Sequence, residues 1–455
     1  MLTNKTMLGL FFALSASVAQ AETIKIAIGH QSMCTDTYTA GIVVKERKLL
    51  EKYLPKTGRY ADAQYEISWN DYSSGGPITN QMLANKLQFG IMGDYPLIVN
   101  GAKFQAAEAR TVYVAGTGYN LNGSGNAIVV PINSGIHELS DLKGKEVSTP
   151  VGSAAWGMLL KAFQDAGIRT NEYTLKNQSP AVGAGNIAAN KIDAHSDFCP
   201  WSEIMEFRGT GRKIFDGFEA GVPYLHGVVV RKDFADKYPE IVIALIKATY
   251  EAGKWIEANP LEAVESLEKW TGVEKEVLYI YFSKGGHLTL DPTIKTKWID
   301  TLKFDHQVLT REQAIPPLDF DAWIDENYIR KAYAELGVDY NVEKARLVDP
   351  KVANVNLPGE IWHARDGIST YAKTADLLKA VAAARATGAK LNATYVYDRE
   401  SGLKLFGKTA YYVAEPNGEF STFLRRGDAE KRASKINGKP ISYDEAVTLV
   451  TTPQS

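Results

Sequence analysis

The chain of 455 residues is too long for one compact core, and we expect two or three domains. Its 51 basic and 53 acidic residues nearly balance, which excludes the basic face that a nucleic-acid partner requires. A hydrophobic fraction of 45% is that of an ordinary globular protein, and two cysteines are too few for a disulfide scaffold.

The N-terminus has the pattern of a cleavable secretory signal. Lys5 gives a positive start, the apolar run Leu8–Val18 follows, and Ala19–Ala21 has the small-x-small pattern of a signal peptidase site. The apolar run is too short to span a bilayer stably. We therefore predict a signal peptide over residues 1–21 and a periplasmic mature protein of 434 residues (455 minus 21).

The segment from residue 22 to 117 predicts an α/β unit. Its first strand, Thr23–Gly29, alternates in polarity and then becomes wholly apolar, as a buried parallel strand does. The pattern continues with a helix over 40–54, a strand over 65–69, a helix over 77–87 and a strand over 89–93. This alternation of strands and helices indicates a parallel sheet.

The segment from 118 to 223 repeats this plan, and the chain then returns to the first unit. Strands are predicted at 127–130, 144–149 and 192–196, with helices between them. The return segment, 224–345, opens with the strand Gly227–Val230 and is mainly helical afterwards. A linker over 346–360 contains Pro350 and Pro358 and separates a smaller region, 361–455.

Candidate ligand-binding residues follow the predicted strands. In open α/β sheets, ligands bind beyond the carboxyl ends of the strands, and aromatic, hydroxyl and carboxylate groups are typical of such pockets. Taken singly, each residue would serve equally well to cap a helix or fill the core. The predicted set is Gln31, Ser32, Cys34, Thr35, Asp36, Asp71, Asp94, Tyr95, Tyr119, Gly152, Ser153, Trp156, Asp197, Cys199, Trp201 and His226.

The strand-end loops are acidic, and this indicates a ligand with a positive part. They contain no Lys or Arg but hold Asp36, Asp94 and Asp197, and buried carboxylates require a positive partner. We expect an ammonium or other cationic group to meet Asp36, Asp94 or Asp197, with Trp156 and Trp201 supplying cation–π faces.

The opposite end of such a ligand would be anionic. At Gly152–Ser153, the backbone N–H groups of a helix start and a hydroxyl are suited to an oxyanion. The same geometry also makes a plain N-cap, so both interpretations stay open.

The sequence favours a binding protein over an enzyme, and no cofactor is predicted. Cys34 and Cys199 have histidines nearby at His30 and His195, but no catalytic-cysteine, GxSxG, HExxH or P-loop pattern is present. An alternative is a metal-handling protein that binds a soft metal through Met33, Cys34, Cys199 and the nearby histidines. Their spacings match no standard metal motif.

Four passages together are similar to the periplasmic binding proteins of ATP-driven importers for nitrate, sulfonates and taurine. They are Lys25–Gly29, Leu87–Gly93, Gly144–Ser153 and Ala188–Pro200. Within the second passage, Phe89–Ile91 lacks the acidic residue that is usual in the family.

The resemblance extends over residues 22 to about 345 and implies the two-lobed periplasmic-binding-protein fold, α/β with parallel-rich sheets. It implies chain crossings between the lobes near 118–126 and 221–226. It also implies a monomer that closes on a small-molecule ligand and then meets an ABC permease in the inner membrane.

The C-terminal region resembles a different family, the copper-binding accessory lipoprotein of nitrous oxide reductase (NosL-like). The likeness lies in Ile361–Val381, Asn392–Val413 and Phe423–Ala446. That family holds copper through a Cys-x-Met motif, whereas the last methionine here is Met205 and the only histidine of the region is His363. We expect a small α+β domain that has lost its metal site and serves as a docking or stabilising module; a passive extension is the alternative.

The two cysteines fall on opposite predicted lobes. An exported chain is able to oxidise them to one disulfide. A bridge between Cys34 and Cys199 would, however, lock the closure that binding requires. We therefore predict reduced thiols.

Overall fold

The computed structural model describes residues 22–313 and 315–452, so the predicted signal peptide lies outside the described residues. None of the helices in these two ranges combines the length and the apolar character that a membrane crossing requires. The chain forms two α/β lobes followed by a C-terminal domain.

Lobe 1 is built from the first part of the chain and completed by a later return. Its first part comprises β1 (Thr23–His30), α1 (Ile42–Glu46), α2 (Leu49–Tyr53), β2 (Gln64–Asp71), α3 (Gly75–Leu83), β3 (Phe89–Gly93), α4 (Asp94–Ala106) and β4 (Thr111–Asn120).

Lobe 2 lies between the two parts of lobe 1 along the chain. It comprises β5 (Asn126–Pro131), β6 (Glu146–Thr149), α5 (Ala154–Asp165), β7 (Thr174–Asn177), α6 (Pro180–Ala188), β8 (Ala194–Phe198), α7 (Trp201–Phe207), β9 (Gly211–Asp216) and α8 (Gly217–Ala220).

The return adds one strand to the sheet of lobe 1 and then a series of helices. It comprises β10 (Tyr224–Arg231), α9 (Lys232–Lys237), α10 (Pro239–Ala258), α11 (Pro260–Thr271), α12 (Lys275–Phe282), α13 (Thr296–Gln313), α14 (Phe320–Trp323), α15 (Asn327–Leu336), α16 (Tyr340–Ala345) and α17 (Pro350–Ala353).

Each lobe has a mixed five-stranded sheet, with parallel strands on one side and antiparallel strands on the other. In lobe 1 the order is β2-β1-β3-β10-β4, where β1 is parallel to β2 and β3, and β10 is antiparallel to β3 and β4. In lobe 2 the order is β7-β6-β8-β5-β9, with the same division. The fold is therefore α/β and similar to that of periplasmic binding proteins, and the parallel strands β1, β3, β6 and β8 direct their carboxyl ends to the cleft.

Two local features differ from the sequence expectation. The continuous helix predicted over 40–54 is divided by Lys48, which has a left-handed backbone (φ 53°) and lets both Ile42–Val44 and Leu49–Leu50 reach the core. The strand β4 was not predicted, because Gly116 and Gly118 weaken the strand pattern. Both glycines are required by a close approach of another segment, since an added Cβ would lie 3.0 Å from the Asp291 carbonyl oxygen at Gly116.

The C-terminal domain is an α+β unit with its own core. It comprises β11 (Gly359–His363), β12 (Gly367–Tyr371), α18 (Thr374–Thr387), β13 (Leu391–Tyr397), β14 (Lys404–Phe406), β15 (Tyr411–Ala414), β16 (Phe420–Phe423), α19 (Arg426–Ser434) and α20 (Tyr443–Leu449). A four-stranded sheet, β12-β11-β13-β14, packs with a β15-β16 hairpin around Ile361, Leu377, Val381 and Tyr412.

Buried polar groups dock this domain onto the lobes. Lys404 Nζ donates to Glu360 Oε2 at 2.5 Å and to Ser283 Oγ at 2.7 Å, and the Tyr279 hydroxyl donates to Glu360 Oε1 at 2.8 Å. Lys404 is fully buried, so its charge depends on Glu360. Arg425 also forms an ion pair with Glu219 of lobe 2, so the domain touches both lobes.

Candidate functional site

Two chain crossings connect the lobes and set the site between them. The chain leaves β4 at Asn120 and enters β5 at Asn126, and it returns from α8 to β10. Asn120 fixes the first crossing, since its amide donates to the His287 carbonyl oxygen at 2.8 Å and its Oδ1 accepts from Ser124 N at 3.0 Å. The ends of strands from both lobes consequently face each other.

A small cavity, here called the thiol cavity, lies between the lobes. It is lined by Gln31, Cys34, Ser74, Gly75, Gly93, Pro96, Ser153, Ala154, Phe198, Tyr224 and His226. Most of these residues follow a strand or begin a helix, and both lobes contribute to the lining. Among the described residues that line it, none is Lys or Arg.

Helix starts from both lobes border the thiol cavity. Ser74 is the N-cap of α3 and Ser153 is the N-cap of α5, and the Ser153 hydroxyl accepts from Trp156 N at 3.3 Å. Gly152 precedes this cap with φ 86°, a left-handed conformation that places the helix start toward the cavity. Partial positive charge at helix N-termini favours an anionic group at this place.

Cys34 and His226 lie within hydrogen-bonding distance in the wall of the thiol cavity. The distance from Cys34 Sγ to His226 Nε2 is 3.2 Å. Burial opposes the thiolate, but the hydrogen bond from Cys199 and the charge of His226 hold the pKa of Cys34 well below its ordinary value of 9. Burial likewise opposes the imidazolium, yet Cys34, Asp36 and Asp94 raise the pKa of His226 to about 9. These contacts favour a thiolate on Cys34 and a proton on His226 over the neutral forms.

Asp36 and Cys199 lie behind this pair and are fully buried. Asp36 Oδ2 lies 3.4 Å from His226 Nδ1 and accepts from the Cys199 thiol at 3.0 Å. Burial raises the pKa of Asp36 to about 7, and burial together with the charges of Cys34 and Asp36 raises the pKa of Cys199 well above its ordinary value. The two Sγ atoms are 3.8 Å apart and both cysteines are free thiols.

A second cavity, here called the carboxylate cavity, adjoins the first. It is lined by residues that include Asp94, Tyr95, Ala154, Lys161 and Asp305. Ala154 lines both cavities, so they lie on either side of the start of α5.

Asp305 is the unusual group of the carboxylate cavity. It lies on α13, it is 1% exposed, and neither of its carboxylate oxygens has a hydrogen-bond partner among the described residues. Burial and the charge of Asp94 raise its pKa well above the ordinary value, which the nearby Tyr95 hydroxyl opposes only in part. The carboxylate of Asp94 has more hydrogen bonds, since it accepts from Tyr95 N at 2.8 Å and from Leu225 N at 3.4 Å. Burial raises the pKa of Asp94 to about 6, although the charge of His226 opposes this shift.

Several predicted site residues line neither cavity. Ser32 and Asp71 bond to each other, from Ser32 N to Oδ1 at 2.7 Å and from Ser32 Oγ to Oδ2 at 2.5 Å. Thr35 is buried with no partner for its hydroxyl. Tyr119 packs on Trp298 with ring centroids 4.5 Å apart, and its hydroxyl accepts from Val348 N.

The two tryptophans and Asp197 are likewise used elsewhere. Trp156 packs edge-on against Tyr95, with ring centroids 6.5 Å apart, and Trp201 is half-buried in the packing of α7. Asp197 is fully buried and lies 2.8 Å from His195 Nε2. Neither Trp156 nor Trp201 lines either cavity, so the cation–π faces expected from the sequence are not part of these walls.

The structure adds residues that the sequence analysis did not single out. No pattern in the sequence indicated that Asp305 is a site residue, because it lies within a long polar helix rather than after a strand. Phe198 and Tyr224 lie at the end of β8 and the start of β10, where an aromatic residue is easily taken for core.

The metal-handling alternative finds no ligand set in the described part of the chain. There, no group of three or more His, Cys, Asp and Glu side chains is arranged to hold a metal ion. Met33 packs against the hydrophobic core as a partly buried side chain.

Comparison with known proteins agrees with this architecture. The taurine-binding periplasmic protein of Escherichia coli (strain K12) is 26% identical over 266 residues, which cover 57% of this chain and 76% of that protein. The alkanesulfonate-binding protein SsuA from Xanthomonas axonopodis pv. citri, solved with MOPS bound, superimposes with a TM-score of 0.57 at 20% identity, over 68% of this chain and 100% of that one.

The same fold is also found in an enzyme. The desulfurization enzyme DszB superimposes with a TM-score of 0.52 at 14% identity, over 69% of this chain and 99% of that one. The fold therefore does not by itself distinguish binding from catalysis.

The two lobes and the cleft between them are those of the periplasmic-binding-protein fold. Residues 56–263 match the family model described as NMT1/THI5 like, so this part of the chain is NMT1/THI5-like.

Proposed function

We propose that the protein is the periplasmic substrate-binding component of an ABC importer and that it captures a small zwitterionic solute of the taurine type. The observation that carries the proposal is the pair of adjoining cavities between the lobes, one bordered by helix N-termini and the other by carboxylates. The similarity to taurine-binding and alkanesulfonate-binding proteins supports it. Closure of the lobes would bury such a ligand and signal its presence to a permease.

The anionic end of the solute belongs in the thiol cavity. There the starts of α3 and α5 supply partial positive charge, and Gln31 and Ser153 supply neutral polar groups. Backbone N–H groups at a helix start bind an oxyanion such as a sulfonate without a side-chain cation.

The ammonium end belongs in the carboxylate cavity. Asp305 has no hydrogen bond of standard geometry in the described residues and only a weak contact with the Tyr95 hydroxyl, and a buried carboxylate so poorly satisfied is costly. An ammonium group placed beside Asp305 and Asp94 would lower the pKa of both carboxyl groups and remove that cost. Lys161 lines the same cavity but is engaged by Asp165, with which it forms an ion pair.

Calorimetry tests the proposal with four probes: taurine, ethanesulfonate, ethylamine and nitrate. We expect taurine to bind at least ~10-fold more tightly than the two single-charge organic probes, since it fills both cavities. Asp305→Asn is expected to remove that advantage while leaving ethanesulfonate binding unchanged. Asp300→Asn, an exposed carboxylate on the same helix, is the matched control and should bind like the wild type. Tight nitrate binding without any response to amines would contradict the proposal.

A further inference from the structure

Two cysteines that are 165 positions apart in the sequence meet where the lobes touch. Cys34 follows β1 of lobe 1 and Cys199 follows β8 of lobe 2, and their Sγ atoms are 3.8 Å apart. A disulfide requires about 2 Å. The sulfur atoms therefore lie in contact across the two lobes and must move closer together as the bond forms.

The two thiols are placed for different tasks. Cys34 lines the thiol cavity and lies 3.2 Å from the imidazole of His226, which gives it the surroundings of a nucleophile. Cys199 does not line that cavity and directs its thiol to the Asp36 carboxylate at 3.0 Å. Cys34 thus faces the entering molecule, and Cys199 lies behind Cys34, next to the Asp36 carboxylate, which is able to act as a base.

We propose that Cys34 and Cys199 form a redox-active dithiol that exchanges with a small, amine-bearing disulfide admitted to the cleft. The product is a disulfide that joins lobe 1 to lobe 2. This activity goes beyond solute binding and does not depend on which solute is imported.

In the first step the Cys34 thiolate attacks one sulfur of the entering disulfide. A mixed disulfide forms on Cys34, the original S–S bond breaks, and the leaving thiolate takes the proton of His226. The buried thiolate reacts only when the lobes are apart, because Cys34 is 1% exposed in the closed form.

In the second step Cys199 resolves the mixed disulfide. Its proton passes to Asp36, its sulfur attacks Cys34 Sγ, and the second small thiolate leaves and takes up that proton. Two protein thiols are oxidised and one small disulfide is reduced to two thiols, so atoms and electrons balance. The pKa of Asp36, raised to about 7 by burial, suits a group that takes and returns a proton near neutral pH.

The class of disulfide follows from the charges beside the thiols. Asp94 and Asp305 line the adjoining cavity, and both are buried. A cationic arm of the entering molecule would be attracted there, which raises its local concentration beside Cys34. Cystamine, which carries an ammonium group at each end of a disulfide, is the probe of choice.

The test treats the full-length reduced protein with cystamine and follows intact mass and released thiol. We expect the wild type to release two equivalents of small thiol, lose both protein thiols and carry no adduct. Cys199→Ser should stop at a mixed disulfide on Cys34 with one equivalent released, and Cys34→Ser and Cys34→Ala should not react. Asp36→Asn should slow the second step at least ~10-fold while mixed disulfide accumulates, which a purely structural role would not produce.

Small-angle scattering of the oxidised protein completes the test. We expect it to keep the compact dimensions of the closed form without ligand and to lose them on reduction. Retention of both thiols in the wild type, reaction of Cys34→Ser at the wild-type rate, an adduct located on Cys199, or an oxidised protein that still opens would overturn the proposal.

Discussion

The ring of Tyr95 in lobe 1 lies against Gly157 in lobe 2, so closely that a methyl group added to Gly157 would overlap the ring atoms. Gly157 lies within α5, where glycine is unfavourable for the helix itself. The interface between the lobes, and not the helix, explains the absence of a side chain at this position.

Gly157→Ala is therefore expected to hold the lobes apart. The added methyl group stabilises the helix by up to ~1 kcal/mol but cannot fit beneath Tyr95 when the lobes close. We expect affinity for the best calorimetric probe to fall at least ~10-fold, with a larger radius of gyration in the presence of ligand. Gly185→Ala in α6, which meets nothing within 4 Å, is the control, and an equal loss of affinity there would contradict this explanation.

The ionisation of Cys34 should depend on His226. The ultraviolet absorbance of the thiolate, followed against pH, is expected to show one thiolate well below the ordinary pKa of 9. In His226→Gln the imidazolium charge is lost while burial remains, so the thiolate should appear only at alkaline pH. Cys34→Ser should abolish the low-pH thiolate; if that thiolate persisted in Cys34→Ser, the assignment to Cys34 would be wrong.

The pH dependence of stability should include a contribution from Glu206. Burial and the charge of Glu203 raise the pKa of Glu206 to about 7, and Lys213 opposes this only in part. A raised carboxyl pKa gives stability that is complete below the ordinary value of 4.5 and is lost as the pH rises through about 7. In the wild type, we expect Glu206 to lower the free energy of unfolding by about 2–3 kcal/mol between pH 5 and pH 8, measured by denaturant titration. In Glu206→Gln this decrease should be absent. An unchanged pH profile would show that Glu206 is ionised at little cost.

Lys404 should stabilise the contact between the C-terminal domain and the lobes. Lys404→Met leaves Glu360 buried without its cation, and breaking one side of a buried pair costs about 3–5 kcal/mol. We expect a lower melting temperature and faster proteolysis within residues 346–358. Lys408→Met, an exposed lysine shortly after Lys404, is the matched control. If proteolysis were unchanged in Lys404→Met, the domain would be held by its apolar contacts alone.

Local pattern in the sequence determined the alternation of strands and helices and the loops that surround the cleft. Apolar runs such as Ile26–Gly29 and Phe89–Gly93 must be buried, and their alternation with helices predicts parallel strands whose carboxyl ends share one edge of the sheet. The resemblance to importer-linked binding proteins, and the α/β two-lobed fold that it implied, followed from such local passages. Gln31, Cys34, Ser153 and His226 were consequently named from position alone.

Only the tertiary structure decided which of these residues meet. The sequence placed Cys34 and Cys199 on opposite lobes, but closure brings their sulfur atoms to 3.8 Å and sets His226 and Asp36 beside them. Asp305 enters the cleft from a helix of the return segment, which no local pattern signals. The physical reason is that burial and charge pairing arise between groups that are distant in the chain and meet only in the folded protein. Burial and charge pairing determine both the ionisation of the thiols and the kind of ligand that the cleft suits.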